Sequence, residues 1–211
     1  MKITKFSHCC MLIEEAGVRF LTDPGTLSTA QTEVKNIDFI LITHEHHDHF
    51  DPTSIKICLE HNLGAEIITT ETVSDLLKKE GIVSHILKDG ESYDAKGVHV
   101  EAFGTLHAPL HHSIPQTLNT GFLIAKTFFY PGDACTEIKK PVKILALPVA
   151  GPILKISESI DYALALKPKI CFPVHDGILK NIGLTSALPP KVLGPEGINF
   201  IPFELGKEYD F

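Results

Sequence analysis

The residues best equipped for chemistry stand in one short run that reads His-Glu-His-His-Asp-His. His44, His46, Asp48 and His49 offer imidazole and carboxylate groups, which suit Zn²⁺, with Mn²⁺, Fe²⁺ or Ni²⁺ as alternatives. A tight turn can direct the first two residues at one ion and the last two at a second ion. A solvated histidine-rich loop is the alternative, but it does not explain ligand groups at this spacing directly after an apolar segment. The run therefore predicts a site for divalent metal ions.

The segments around this run predict the elements that hold it. Short apolar or β-branched stretches separated by turn residues indicate an antiparallel meander of strands at 2–6, 11–15 and 18–22. The continuously apolar stretch 38–43 is typical of a strand buried on both faces. Asp51 followed by proline is a typical start of a helix. The metal run is thus predicted to lie on a loop between a buried strand and a helix.

The rest of the chain repeats this alternation. Thr70 is a suitable cap for a second helix that ends at Gly81, and a third helix is predicted at 157–166. No repeat and no linker divides the chain, so we predict one α/β (α+β) domain over 1–211, with two packed sheets and helices outside. Further strands are predicted at 65–69, 83–87, 98–103, 120–125, 128–130, 143–147 and 170–174, with a short one near Phe200.

Composition narrows the classes of partner. The net charge is −7 and no run of lysine or arginine occurs, which disfavours nucleic acid as a partner. No apolar region follows the first positive residues, so no secretory signal is predicted. The longest apolar stretch, 144–154, is broken by proline and glycine and is too short to cross a bilayer core of about 30 Å. A cytoplasmic protein with a small-molecule partner and no membrane contact is expected, and the oligomeric state stays open.

Five cysteines occur, and their odd number and irregular spacing do not predict a disulfide framework. Cys9 and Cys10 are adjacent, so they do not form a zinc-binding pair with two residues between. Free thiols that are buried as small apolar residues are the expectation for all five, with more doubt at Cys135 because it stands two residues after Asp133.

The run at 43–49 resembles the Thr-His-x-His-x-Asp-His signature of the metallo-β-lactamase superfamily. The resemblance implies a four-layer αββα sandwich with up to two metal ions. It also implies three later ligands, each on a loop after a strand, and His107, Asp133 and His175 occur in the matching order. By this resemblance His44, His46 and His107 hold one ion, Asp48, His49 and His175 hold the other, and Asp133 bridges the two.

The stretches 107–115 and 119–122 resemble the superfamily branch of general metal-dependent hydrolases, which is related to the ascorbate-6-phosphate lactonase type. The His-Thr-Pro-Gly-His segment of glyoxalase II and many lactonases is absent. Asp133 stands where some true β-lactamases have cysteine. His46 stands where diiron flavoprotein relatives have glutamate, which favours a hydrolytic metal centre over a redox pair.

Several assignments stay open at this point. His107 is the favoured third ligand of the first ion because it follows soonest after a predicted strand, but His111 and His112 compete with it. These two are otherwise candidate substrate contacts or members of a solvated loop. Asp23 is expected to hold a ligating histidine through its second ring N–H, or to cap a turn. His8 either supports the site or lies in a plain turn.

The predicted chemistry is hydrolysis by a metal-bridged hydroxide. Two cations lower the pKa of a shared water towards neutrality, and Asp48 is expected to orient the hydroxide and take its proton. A small ester, lactone or phosphoester is the expected substrate. Short loops at 26–36, 111–118 and 177–190 favour a small polar metabolite. The alternatives are a phosphodiesterase or nuclease of the same fold and a non-catalytic metal- or ligand-binding protein.

Overall fold

Two seven-stranded sheets pack face to face in a computed structural model that describes Met1–Phe211. In chain order the strands are β1 (Lys2–Ser7), β2 (Cys10–Glu15), β3 (Val18–Thr22), β4 (Phe39–Ile42), β5 (Glu66–Thr69), β6 (His85–Ile86), β7 (Ser92–Ala95), β8 (Val98–Phe103), β9 (Gly121–Ile124), β10 (Phe128–Tyr130), β11 (Ile144–Pro148), β12 (Ile170–Val174), β13 (Asn199–Phe200) and β14 (Glu208–Asp210). The helices are α1 (Pro52–His61), α2 (Glu71–Lys79), α3 (Ile156–Leu166), α4 (Gly183–Ala187) and α5 (Pro189–Leu193), with 3-10 turns at Ala30–Glu33 and Gly194–Glu196.

The two sheets share one plan. The first has the order β14-β1-β2-β3-β4-β5-β6 and the second the order β13-β12-β11-β10-β9-β8-β7. Neighbours from β14 to β3 are antiparallel, and neighbours from β3 to β6 are parallel. The second sheet is antiparallel from β7 to β10 and parallel from β10 to β13. The predicted meander and the predicted two-sheet sandwich are therefore confirmed.

Three apolar clusters hold the layers together. The largest, with 22 buried residues, lies between the sheets and includes Phe20, Phe122 and Phe172. A second cluster packs the outer face of the second sheet against α3 and α5, and a third packs the first sheet against α1 and α2. Burial of this apolar area is the main force that stacks the layers in the order helix, sheet, sheet, helix.

The strand before the metal run shows how the sequence produces this arrangement. All four residues of β4 are buried because helices cover one face and the second sheet covers the other, as its unbroken apolar character predicts. The Asp51 carboxylate accepts hydrogen bonds from the backbone N–H groups of Thr53 and Ser54 and so begins α1. The loop with the metal run is thus fixed at both of its ends.

Local patterns misplace or miss some elements. The predicted strand 83–87 reduces to β6, and β7, α4, α5 and β14 were not predicted. Strand β14 is a short polar edge strand whose Tyr209 pairs with Ile3 at the other end of the chain, so no local pattern marks it.

Four cysteines are buried as expected, but Cys135 is exposed because it lies on the loop after β10, outside the packed sheets. No helix combines the length and apolar character that crossing a membrane requires.

The turn after β3 packs directly on the metal run. A Cβ atom at Gly25 would lie 2.0 Å from the backbone oxygen of Asp48, which is far inside van der Waals contact. The backbone N–H of Thr26 also donates to the carbonyl of His47 at 2.9 Å. Only glycine therefore lets this turn support the loop that carries the predicted ligands.

We expect Gly25→Ala to lower the free energy of unfolding by about 2–3 kcal/mol, because the added methyl group must displace backbone. Urea denaturation of the metal-free protein measures the loss. Gly194→Ala is the matched control, since a Cβ there meets no atom within 4 Å and its φ of −57° is helical. Equal stability of the two variants would contradict the close approach.

Candidate metal centre

The sequence-predicted ligands come together at one edge of the sandwich, on loops that follow strands of both sheets. Nitrogen and carboxylate atoms within 4.8 Å of one another form two groups that could each hold an ion. The first ligand group is His44, His46, His107 and Asp133; the second ligand group is His8, Asp48, His49 and His175.

Three imidazole rings converge in the first ligand group. The ring centroids are 4.7 Å apart for His44 and His46, 4.8 Å for His44 and His107, and 4.6 Å for His46 and His107. The Asp133 Oδ2 atom lies 3.4 Å from His107 Nε2 and 3.8 Å from His44 Nε2. Three rings around a common point, with a carboxylate beside them, match the donor set of a zinc site with three histidine ligands.

Asp133 also reaches the second ligand group. Its Oδ1 atom lies 3.2 Å from His49 Nε2, and its Oδ2 atom lies 2.9 Å from His175 Nε2. In the same group the Asp48 Oδ2 atom is 3.5 Å from His175 Nε2 and 3.8 Å from His49 Nε2. A single buried carboxylate therefore stands between the two sets of nitrogens.

Hydrogen bonds fix which nitrogen of each histidine carries the proton. His49 Nδ1 donates to Asp23 at 2.6 Å, and His107 Nδ1 donates to the carbonyl of Ala108 at 2.5 Å. His44 Nδ1 donates to the Thr43 hydroxyl at 3.0 Å. When the ring is neutral, as a metal ligand must be, the Nε2 atom of each of these three residues keeps its lone pair.

These Nε2 atoms are buried and have no hydrogen-bond partner, and the same holds for Asp133 Oδ1. Buried polar atoms are satisfied in most proteins, so a cluster of unsatisfied acceptors indicates a binding site for a cation. The donor set fits divalent metal ions.

The Asp23 carboxylate holds the loop that carries the metal run. Its side chain is fully buried and accepts hydrogen bonds from the backbone and hydroxyl of Thr43, from His49 and from the Tyr130 hydroxyl. Burial and the neighbouring Asp23 carboxylate raise the pKa of Tyr130, so this phenol stays protonated and donates. Asp23 has a φ of 36°, an uncommon backbone conformation that directs its carboxylate at the site.

His8 supports Asp48 rather than offering a lone pair. The backbone N–H of Gly177 donates to His8 Nδ1 at 3.2 Å, so the ring proton sits on Nε2. That nitrogen lies 3.1 Å from Asp48 Oδ2 and donates to it. Burial outweighs the hydrogen bond to Asp48 and lowers the pKa of His8, so the ring is neutral. His8 therefore holds the Asp48 carboxylate in place.

The environment of the cluster favours positive charge on its histidines and negative charge on its carboxylates. Burial would lower the pKa of His49, but Asp133 and Asp23 outweigh burial and raise it well above its usual value. Burial likewise opposes protonation of His175, but its hydrogen bonds to Asp133 and Asp48 raise its pKa to about 9. Burial would raise the pKa of Asp133, yet the neighbouring histidines hold it well below its usual range. Protons here occupy positions that a metal ion can take.

A cavity of about 360 Å³, here called the access cavity, opens beside Asp48, His107, Asp133 and His175. His111 and His112 do not line it; both are exposed on the loop after His107, and their rings are tilted by 42° with centroids 3.9 Å apart. Their role as substrate contacts stays a prediction.

Sequence reasoning missed several supporting residues. Tyr130 and Thr43 received no role, although they adjoin the two main motifs. Asn119 Oδ1 accepts from the backbone N–H of Asp133 at 3.0 Å and so holds this residue in place. Lys5 is 1% exposed, and its Nζ atom donates to the Pro173 carbonyl at 2.8 Å and to Asp176 at 2.5 Å, on either side of His175. Lys5 shares a face of β1 with the buried Ile3, and a lysine at such an inward position is the signal that could have marked it.

Comparisons with known proteins agree with this geometry. Residues 2–175 match a family model described as a beta-lactamase superfamily domain. The chain belongs to the metallo-β-lactamase superfamily. The protein Rv0786c of Mycobacterium tuberculosis is 34% identical over 184 residues, which cover 85% of each chain. A UPF0173 metal-dependent hydrolase of Carboxydothermus hydrogenoformans is 27% identical, over 83% of this chain and 84% of the relative.

A solved structure has the same fold as this superfamily member. Igni18, a metallo hydrolase from Ignicoccus hospitalis, superposes with a TM-score of 0.77 at 20% identity, over 100% of this chain and 98% of that chain. The predicted superfamily and four-layer fold are thus confirmed, and the relatives support the predicted class of enzyme, a metal-dependent hydrolase. The resemblance to the ascorbate-6-phosphate lactonase type stays a prediction.

We expect this superfamily member to bind about two equivalents of divalent metal, one for each ligand group, and His107→Ala to bind about one, because the first ligand group loses one of its three rings. His112→Ala is the control and keeps both ions, since His112 is exposed and outside the cluster. Elemental analysis after purification measures both variants. The opposite pattern would assign the ligand role to His112.

We expect Asp23→Asn to weaken binding of the ion at His49 by about 10- to 100-fold, because a neutral amide holds the ring N–H less firmly than a carboxylate. Competition with a chelator measures the affinity. Asp51→Asn is the matched control, since asparagine caps a helix about as well as aspartate. Unchanged affinity in Asp23→Asn would show that the carboxylate serves the fold alone.

Proposed function

We propose that this chain hydrolyses a small ester, lactone or phosphoester at a centre of two divalent metal ions. The observation that carries the proposal is the pair of ligand groups joined by Asp133, with buried and unpartnered Nε2 atoms directed at them. A purely structural polar cluster would have satisfied these atoms within the protein.

The arrangement supports one assignment of ligands. His44, His46 and His107 would hold the first ion, Asp48, His49 and His175 the second, and Asp133 would bridge both, because its carboxylate contacts nitrogens of each set. Zinc is the proposed metal because imidazole and carboxylate groups suit it, with manganese, iron or nickel as alternatives. His8 lies outside the proposed ligand set because its Nε2 atom carries a proton.

Bound divalent ions would supply Lewis-acid polarisation of the scissile bond and would lower the pKa of water towards neutrality. Asp48 is the candidate to orient the attacking water and accept its proton, because it faces the access cavity and is only partly buried. Burial alone would raise the pKa of Asp48, but hydrogen bonds from His175 and His8 outweigh burial and hold it below its usual range. The carboxylate is therefore ionised and fixed in direction before a substrate enters.

We expect Asp133→Asn to lose one ion before the other and to lower hydrolysis by orders of magnitude. A neutral amide does not offset the repulsion between two dications as a shared carboxylate does. Metal content and turnover of p-nitrophenyl butyrate, dihydrocoumarin and bis-p-nitrophenyl phosphate measure the effect, and circular dichroism checks the fold. Asp161→Asn, at an exposed position of α3, is the control and keeps normal values.

Two outcomes would favour the alternatives. Turnover of the phosphodiester alone would indicate a phosphodiesterase or nuclease of the same fold. Full metal content in the unsubstituted protein without turnover of any substrate would support a metal- or ligand-binding protein without catalysis. Near-normal turnover and two ions in Asp133→Asn would contradict the bridging role.

A further inference from the structure

The wall of the access cavity divides by chemistry into two parts. Its floor consists of side chains of the metal centre. The rest of the wall, apart from His47, is apolar and comes from four separate loops. These apolar residues are Leu27, Leu110, Pro152, Ile153 and Ile178.

The residues that line the cavity include no lysine and no arginine. They also include no serine, threonine, asparagine, glutamine or tyrosine. A phosphate group away from the reacting bond would need such cations or donors, as would the hydroxyl groups of a sugar. His47 is the one polar side chain of the wall outside the metal centre, so a polar substrate would lose most of its hydrogen bonds to water without replacement.

The two chain segments that supply Leu110 and Ile178 carry further exposed apolar residues. Of the eleven exposed large hydrophobic residues of the chain, six lie in two short segments, 106–114 and 178–184. Each segment contributes one residue to the wall, Leu110 and Ile178, which are 39% and 47% exposed. Apolar side chains that stay exposed next to a reactive centre indicate a surface for an apolar ligand.

We infer that the non-reacting part of the substrate is uncharged and apolar, in place of the small polar metabolite that the loop lengths favour, with a carboxylic ester or lactone of the proposed function as the reacting group. The inference rests on the proposed hydrolysis, because the reacting carbonyl group must lie on the floor of the cavity. Water adds its oxygen to the acyl carbon, and the bond from that carbon to the alcohol oxygen breaks. A proton of the water passes through Asp48 to the leaving oxygen, and an alcohol and a carboxylic acid result.

The first measurement compares p-nitrophenyl acetate, p-nitrophenyl hexanoate and the mono-p-nitrophenyl ester of adipic acid with zinc-loaded protein. The last two have acyl chains of six carbons, but the adipate chain ends in a carboxylate. Burial of a methylene group favours binding by about three- to fourfold. We expect kcat/KM for the hexanoate to be higher by about tenfold or more than kcat/KM for the acetate. We expect the same difference between the hexanoate and the adipate ester. Equal values, or a preference for the adipate ester, would overturn the inference.

Binding without turnover gives a second readout. Calorimetry compares acetohydroxamate, hexanohydroxamate and the monohydroxamate of adipic acid on the zinc-loaded protein. Hexanohydroxamate is expected to bind most tightly of the three. If neither these esters nor dihydrocoumarin nor bis-p-nitrophenyl phosphate is hydrolysed and this order holds, the proposed function fails and the apolar selectivity is supported. If none of these substrates is hydrolysed and the three hydroxamates bind equally, both fail.

The variant Ile178→Lys places a cation on the apolar wall. Because Ile178 is 47% exposed, the change leaves the core intact. The ratio of hexanoate to adipate-ester kcat/KM should fall by about tenfold or more, because lysine pairs with the terminal carboxylate. Val83→Lys is the control, since Val83 is exposed. It precedes β6, which runs parallel to β4, so it lies at the strand ends opposite the metal run. An unchanged ratio in Ile178→Lys would remove Ile178 from the substrate site and overturn the inference.

Discussion

The buried carboxylate of Asp23 is the interaction on which the metal centre depends. A charge in a fully buried position is costly unless every part of it is hydrogen-bonded, and Asp23 accepts four hydrogen bonds. Two come from Thr43 and one from His49, on the loop of the first sheet, and one comes from Tyr130 on the second sheet. The same carboxylate therefore orients a ligand, fixes the start of the metal run and joins the two sheets.

The chemistry of the centre and the stability of the fold are consequently linked. The carboxylates of Asp48 and Asp133 both lie within 4 Å of the Nε2 atoms of His49 and His175, so positive charge between them offsets their mutual repulsion. In the absence of a metal ion, the raised pKa values of His49 and His175 supply that charge as protons. Ions that bind the folded chain more tightly than the unfolded chain add to the free energy of unfolding. The superfamily member is thus expected to be most stable with its metal bound.

The predicted metal ligands and the residues of the cavity wall lie at different positions on the loops. Ligands follow directly after strands, where backbone hydrogen bonds and glycine contacts such as that at Gly25 hold them rigidly. The apolar wall comes instead from loop positions such as Leu110 and Ile178, which lie further from the strands and are partly exposed. Substitutions in these loops can change the shape and polarity of the cavity wall while the metal centre keeps its geometry.

The sequence by itself determined the superfamily, the sandwich and the set of candidate ligands, because buried strands and a run of closely spaced ligands are local patterns. Only the tertiary structure decided which nitrogen of His49 faces the centre, that Tyr130 reaches Asp23 across the sheets, and that Leu110 instead of His112 lines the access cavity. These features depend on contacts between residues far apart in the chain. Local patterns do not encode the direction of a side chain on a loop, because distant packing and backbone conformation set it.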